Sequence, residues 1–380
     1  MDFTRKKIGL ISFHSFQSPG GVKNHTLGLA QEFRRRGIET KVIAPRRSRS
    51  ENYGKNVILL GTSFPMPFND SQGDLVVNFN PFAVRKVLSQ EHFDVLHLHN
   101  FSLPSAFEIL AMSKACNVLT FHAHLDKSEI LRRFPAFLTM FKKVAGWRID
   151  GVIGVSPLVM DIFESYKGLK TVIPNGVDLA KFQAGAPVQK YRDGKINILF
   201  VGRIEKRKGL IYLLRAFEAL TKRHENLRLL VVGKGELKKQ CEDFVKTHGL
   251  KEVHFLGEVP DEKLVSWYKT ADIFCSPAPH GESFGIVLLE AMAAGLPVVG
   301  FANPGYLEFL KGTRVEPFLV PPGNVKALVS ALEKLIDEEQ LRKELGQWGR
   351  EKAQEYSWEK VADRILAFYE QVISRKESAS

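Results

Sequence analysis

Residues 196–224 read INILFVGRIEKRKGLIYLLRAFEALTKRH. The stretch opens on an apolar, β-branched run, breaks at a glycine into the basic loop RIEKRKG, and resumes with apolar residues at helical spacing. Strand, short loop and helix in that order make half of a βαβ unit. A strand that is apolar without alternation belongs to a parallel sheet covered on both faces.

Working outward, the same grammar recurs. Downstream strands are expected at LRLLVVG (227–233), VHFLGEV (253–259), DIFCSP (272–277) and LPVVGF (296–301). Upstream ones are expected at KIGLISF (7–13), TKVIAP (40–45), FDVLHLH (93–99), NVLTFHA (117–123), GVIGVS (151–156) and LKTVIP (169–174). Helical periodicity fills the gaps at VKNHTLGLAQEFRRRG (22–37) and PLVMDIFESY (157–166). The series runs twice, on either side of the polar stretch QAGAPVQKYRDG (183–194). At 380 residues the chain has room for two domains. The expectation is therefore α/β: two Rossmann-like domains facing across a cleft, residues 1–182 and 195–363, joined by a linker at 183–194.

Composition narrows the partners. The fractions, 44% hydrophobic and 25% charged, are those of a globular protein. Basic residues precede a short apolar run at MDFTRKKIGLISF, but no small-residue cleavage site follows, so a first strand and an intracellular location are expected. Cys116, Cys241 and Cys275 fit no metal or disulfide spacing and read as buried small residues. Residues 1–150 hold 21 Lys and Arg against 12 Asp and Glu, nine of the chain's net +12. Such a field suits an anionic partner such as a nucleotide sugar or a membrane surface. No aromatic-and-basic recognition module supports nucleic acid as that partner.

Four places carry candidate chemistry. Gly20 and Gly21 follow the first strand and precede a helix, where a tight turn and unpaired N–H groups suit a phosphate. Gly202, Arg203 and Lys208 end the first strand of the second half, at the carboxyl edge where open α/β sheets bind ligands. His97-x-His99 and His122-x-His124 lie near strand ends. A metal site there lacks an acidic or Cys partner, so no metal is expected; a single His at the cleft hydrogen-bonding a polar substrate, or a structural role for His97 and His99, fits better. Finally, HGESFGIVLLEAMAAGLPVVG (280–300) places Glu290 in a helix from Phe284 to Ala294 that is apolar on every side, with Glu282 just before it. Two such carboxylates either pair with the basic loop at 203–208 or accept hydrogen bonds from sugar hydroxyls.

These stretches, with IPNGVD (173–178), resemble glycosyltransferase family 4, retaining enzymes of the GT-B fold. The Glu-x7-Glu pattern at Glu282 and Glu290 is the most specific feature, and the resemblance spans nearly the whole chain. SPGGVKNH, FHAHLDKS and HGESFGIVLLEAM are most similar to the phosphatidyl-myo-inositol mannosyltransferase subgroup. The resemblance implies a nucleotide-sugar donor, GDP-mannose before a UDP-hexose, and transfer to a glycolipid or polysaccharide-precursor hydroxyl. No cofactor is required, and divalent-cation dependence is left open. It implies that Gly20 and Gly21 approach the donor diphosphate and that Gly202, Arg203 and Lys208 bind it. Glu282 would hold sugar hydroxyls beside the backbone of Phe284 and Gly285, and Glu290 would hold the ribose. Val259 would read the base with Asp261, His122 would touch the transferred sugar, and Lys23 and Lys127 would face the acceptor. The C-terminal helix, residues 364–380, would return to the N-terminal domain.

One feature departs from the subgroup. No Lys or Arg occurs between Lys55 and Arg85, and PMPFNDSQGDLVVNFN (65–80) carries Asp70 and Asp74. The segment RRFPAFLTMFKKVAGWR (132–148) aligns Phe134, Phe137, Leu138, Phe141 and Trp147 roughly along one helical stripe among basic residues. It either packs on the sheet or lies on an anionic bilayer, which would make a cytoplasmic protein peripheral to the inner membrane face. A nucleotide-sugar epimerase on the same fold and a membrane-docked scaffold are the rival readings. The Glu-x7-Glu helix argues against the first and the intact Arg203, Lys208 and Glu282 against the second.

Overall fold

A computed structural model describes residues 1–17, 20–48, 50–68, 71–78, 80–102, 104–123 and 135–379. The chain divides into two units, Met1–Gly176 with Trp358–Ser380, and Val177–Ser357.

The first unit is built on eight strands: β1 (Lys7–Ser12), β2 (Glu39–Arg46), β3 (Val57–Phe68), β4 (Ser71–Val77), β5 (Val95–His99), β6 (Cys116–Phe121), β7 (Gly151–Gly154) and β8 (Leu169–Val172). Their order is β4-β3-β2-β1-β5-β6-β7-β8, parallel except for the β3–β4 hairpin. The order reverses between β1 and β5, which is where an open sheet presents a crevice at its carboxyl edge. Register sets Ser12 beside His99 and His99 beside Thr120, so the ends of β1, β5 and β6 are level there. The helix Gly21–Arg35 buries Leu29, Ala30 and Phe33 in the same core as Ile8, Leu10 and Val95. That core is completed from the far end of the chain. The helix Trp358–Ala379 adds Val361, Ile365, Phe368, Tyr369 and Val372, spaced to share one face.

The second unit has six strands: β9 (Ile196–Val201), β10 (Leu227–Val232), β11 (Val253–Gly257), β12 (Ile273–Ser276), β13 (Val298–Phe301) and β14 (Leu319–Val320). They pair in parallel in the order β11-β10-β9-β12-β13-β14. The reversal falls between β9 and β12, whose following loops carry RIEKRKG and HGESFG.

Several expectations change. The unit boundary lies at Gly176/Val177 and Ser357/Trp358, outside the expected linker at 183–194 and before the expected return at 364. That stretch packs in the second unit, with Tyr191 buried against Trp267 and the Val188 amide donating to Thr270 Oγ1 at 2.8 Å. Residues 157–166 are not an α-helix but two 3-10 turns, Pro157–Val159 and Asp161–Phe163, which bury Val159 and Phe163 equally well. The strands β3 and β4 pair as a hairpin that Gly61, Pro65 and Pro67 concealed. The prolines sit where β3 pairs only β4, so the missing N–H groups break no ladder with β2. Asp74, an acidic residue where the subgroup is basic, is half-buried in this hairpin, with its side chain 6% exposed. It pairs with Arg47 and accepts hydrogen bonds from Ser63 Oγ at 2.9 Å and the Ser15 amide at 3.0 Å. Asp70 lies outside the described residues, as do Ser18, Pro19, His124, Lys127 and Phe134.

The helix Pro135–Arg148 also divides its expected stripe. Phe141, Val144 and Ala145 are buried, whereas Trp147 is 56% exposed. Six residues at about 100° each set Trp147 well away from Phe141 around the helix.

Candidate functional site

In the second unit the basic loop closes on the first carboxylate. After β9, residues Lys206–Lys208 make one 3-10 turn, and Gly209, at φ +72°, starts the helix Leu210–Thr221. A Cβ at Gly209 would stand 2.0 Å from the carbonyl oxygen of Pro277, so the loops after β9 and β12 touch because this residue has no side chain. Lys208 Nζ donates to Glu282 Oε1 at 2.6 Å, and Arg207 Nη1 reaches the same oxygen at 3.2 Å and the Gly281 carbonyl at 2.7 Å. Arg207 Nη2 also donates to Glu205 Oε1 at 3.2 Å, and Arg203 lies 3.5 Å from that oxygen. Glu282 is 8% exposed. Burial alone would raise its pKa, but Lys208 and Arg207 outweigh burial and hold the carboxyl below its ordinary value. For Lys208, burial is the largest influence and Arg207 adds to it, so its pKa falls despite Glu282. Arg203, Arg207 and Lys208 together outnumber Glu205 and Glu282, so this largely buried cradle keeps a net positive charge for a further anion.

The second carboxylate is held differently. The helix spans Ile286–Ala294, starting two residues after the expected Phe284, because Gly285 adopts φ +99°. A Cβ at Gly285 would stand 2.7 Å from the Tyr306 ring. Leu288 through Ala294 are all buried, as an all-apolar helix requires. Glu290 does not pair with the basic loop: Tyr268 donates to its Oε2 at 2.9 Å. Burial dominates and pushes the Glu290 carboxyl up to about 7, with the Tyr268 hydrogen bond working against it. Tyr306, fully buried, meets Ser276 at 2.7 Å, and Asn303 donates to the Ala278 carbonyl at 2.9 Å, so the β12 loop is braced from beneath.

Other predicted residues are more dispersed. Phe284 is a core side chain against Phe309 and Tyr356, which leaves its backbone for any ligand contact. Val259 follows β11, and Asp261 opens the helix Asp261–Thr270; its charge adds to the rise at Glu290. In the first unit Gly21 begins its helix with Lys23 in the first turn, both at the β1–β5 reversal. Gly20 is extended at φ 175°, and a Cβ there would meet nothing within 4 Å. The fold itself therefore does not demand glycine at 20.

His122 follows β6, its amide donating to Asn100 Oδ1 at 2.8 Å. His99 Nδ1 lies 3.2 Å from His122 Nε2, and the rings of both pack on His25. His97 is satisfied structurally, with Thr120 and Tyr369 each 2.6 Å from a ring nitrogen. His25 and Asn175 stand 2.9 Å apart within motifs already quoted, SPGGVKNH and IPNGVD. Neither was singled out, nor were Arg207 and Tyr268. Arg207 was legible inside the basic loop, while Tyr268 lies 22 residues from its partner and left no local signal.

Comparison with known proteins follows this geometry. A family model described as glycosyl transferases group 1 matches residues 186–352, and one for glycosyltransferase family 4 matches residues 19–181. The chain is 36% identical over 376 residues to a phosphatidyl-myo-inositol mannosyltransferase of Mycobacterium leprae, covering 96% of this chain and 97% of the relative. A protein of the same name from Propionibacterium freudenreichii is 32% identical over 377 residues, covering 96% and 94%. Among solved structures, the sucrose-phosphate synthase of Thermosynechococcus elongatus is similar with a TM-score of 0.79 at 22% identity, over 98% of this chain and 100% of that one. Anabaena Alr3699/HepE in complex with UDP and glucose is similar with a TM-score of 0.74 at 19% identity, over 97% and 100%.

Proposed function

The chain belongs to glycosyltransferase family 4, with the GT-B fold, and is a hexosyltransferase; from that premise we propose that it moves a mannosyl group from GDP-mannose to a hydroxyl of a glycolipid or polysaccharide precursor. The observation that carries the reading is the convergence of Lys208 and Arg207 on one oxygen of Glu282, at the point where the sheet order reverses.

In this reading Lys208, Arg203 and the backbone at Gly202 receive the donor diphosphate, and the backbone of Gly20 and Gly21 is assigned to the same group. They offset the charge that grows on the leaving group as the anomeric carbon–oxygen bond breaks. Glu282, fixed by two cations, accepts from hydroxyls of the hexose beside the Phe284 and Gly285 backbone. Glu290 accepts from the ribose, and Val259 with Asp261 reads the base. The acceptor oxygen bonds to the same face of the anomeric carbon, and its proton passes to the leaving diphosphate, so the anomeric configuration is retained. His122 contacts the hexose, and Lys23 and Lys127 face the acceptor.

Asp74 is neutralised by Arg47, so its charge does not oppose an anionic acceptor. Exposed Phe107, Met140 and Trp147, near exposed Lys142 and Lys143, support peripheral binding to an anionic inner membrane surface. No helix among the described residues is long and apolar enough to cross a membrane. Vesicles of anionic lipid are expected to pellet the protein at low salt, and an unbound protein would end the membrane part of the reading.

The main test is transfer by the Arg203→Ala and Lys208→Ala proteins. Both are expected to stay folded and lose transfer by about 100-fold or more, as when a group that stabilises developing charge is removed. Turnover near that of the wild type would refute the assignment. Thermal stabilisation across GDP- and UDP-sugars chooses the donor: a ligand at a hundred times its Kd adds about 2.7 kcal/mol.

A further inference from the structure

A cavity of about 280 Å³ opens in the first unit, and none of the residues lining it has been assigned to donor or acceptor. Its walls are the helix Pro135–Arg148, the turns that lead into β8, and the helix Trp358–Ala379. Ile149 and Gly168 stand just before β7 and β8 begin, so the cavity lies at the amino edge of the sheet. The reversal between β1 and β5 presents its crevice at the opposite, carboxyl edge.

The cavity is preformed. Tyr166 donates to the Ile149 carbonyl at 2.8 Å, and a Cβ at Gly168 would stand 2.1 Å from the Tyr166 hydroxyl oxygen. The phenol is thereby clamped between the end of one helix and the start of β8. Buried Ala145, Ile149 and Phe163 supply an apolar floor. The rim is cationic, lined by exposed Lys142, Lys167 and Arg375. Arg375 donates to the Lys167 carbonyl at 3.4 Å, and among the described residues no carboxylate pairs with any of the three. Asp150, which acts on Tyr166, is already paired with Lys376 at 2.8 Å, and Glu164 does not line the cavity. Lys170 adds a fourth positive charge nearby, donating to the Phe163 and Glu164 carbonyls at 3.2 and 3.3 Å.

We propose that this cavity binds a soluble phosphomonoester, with its phosphate among Lys142, Lys167 and Arg375 and its short carbon stem over Ile149 and Phe163. Near pH 7 such an ester carries about 1.5 to 2 negative charges and three acceptor oxygens, which suit three cations without carboxylate partners better than a single carboxylate does. Arg375 brings a planar fork fitted to phosphate, and the lysines bring mobile point charges. Small-molecule sites start at about 300 Å³, so the volume suits a small ester rather than a nucleotide sugar. A lipid headgroup offers the same phosphate. However, five residues at about 100° each set Lys142 about 140° around its helix from Trp147, the side proposed to meet the bilayer. The choice of a soluble ester over a lipid rests on that proposed membrane face, whereas the site itself rests on neither the membrane nor the donor assignment.

The test is calorimetry of glycerol 3-phosphate with the full-length wild-type and Lys208→Ala proteins, which should bind it equally. Lys167→Gln/Arg375→Gln, at two exposed positions, should stay folded and weaken binding at least about tenfold, as loss of hydrogen bonds to a charged group does. Gly146→Glu should do the same, because a Cβ there meets nothing within 4 Å and the new carboxylate stands at the rim. Affinity should also fall below about pH 6, where the ester takes up a proton. Absence of binding overturns the proposal, as does binding that Lys208→Ala abolishes and Lys167→Gln/Arg375→Gln leaves intact. Glycerate bound as tightly as the ester would overturn the phosphate assignment. If only phosphatidylglycerol vesicles bind, and Lys167→Gln/Arg375→Gln loses them, the occupant is a lipid headgroup and the soluble ester is refuted. A protein that GDP fails to stabilise would undo the donor reading and leave this site standing.

Discussion

Glu290 shows at the scale of one residue how function and stability pull apart. A carboxyl whose folded pKa is about 7 against an ordinary 4.5 binds more protons folded than unfolded. Stability therefore falls as pH rises between those values, and the whole penalty is present above about 7. Its upper size is about 3 kcal/mol. Glu290→Gln keeps an acceptor for Tyr268 and removes the charge. The variant should be more stable than the wild type at pH 8 by up to about 3 kcal/mol, nearly equal at pH 5, and weaker in donor binding. Denaturation at the two pH values checks this, and equal differences at both would contradict a buried, uncompensated carboxylate. At this scale the sequence made Glu290 stand out because it interrupts an apolar helix, and Glu282 because it precedes that helix at the Glu-x7-Glu spacing. It could not separate them, since their partners arrive by tertiary contact: Lys208 from 74 residues away and Tyr268 from 22.

Elements were legible where one periodicity ruled. Nearly every buried parallel strand announced itself as a short β-branched run, and Leu210–Thr221 as an amphipathic helix. The hairpin of β3 and β4 was not, because two prolines interrupt its pattern and only pairing explains why they are tolerated. Nor were the turns at 157–163, whose apolar positions suit either helix type. The start of the helix Gly21–Arg35 is instructive. Gly20 is extended and open, so alanine should fit without strain. Gly20→Ala is therefore expected to melt within about 0.5 kcal/mol of the wild type, as unstrained surface changes do. If a diphosphate occupies that open space, transfer should still fall about tenfold or more. A variant that keeps both stability and transfer would show that no ligand approaches there.

For the whole molecule, the chain contributes to the first unit from both ends, while the Lys208–Glu282 cradle and the separately held Glu290 belong to the second. Sequence periodicity found the last helix, but not that its apolar face completes a core begun by Ile8 and Leu10 over 340 residues earlier in the chain. That assignment separates two kinds of damage. Ile365 is 1% exposed within the first core, so Ile365→Ala should cost about 2–5 kcal/mol by opening a cavity there. None of the groups proposed to hold the ribose and base lies in that core. At temperatures where the variant stays folded, its Kd for GDP should remain within about twofold of the wild type. Hydrogen exchange should quicken in β1 and β5 but not in β9 or β12, because local stability follows the packing of each core. If nucleotide affinity fell in step with the lost stability, the two units would share one cooperative core, and the division at Gly176 and Trp358 would be wrong.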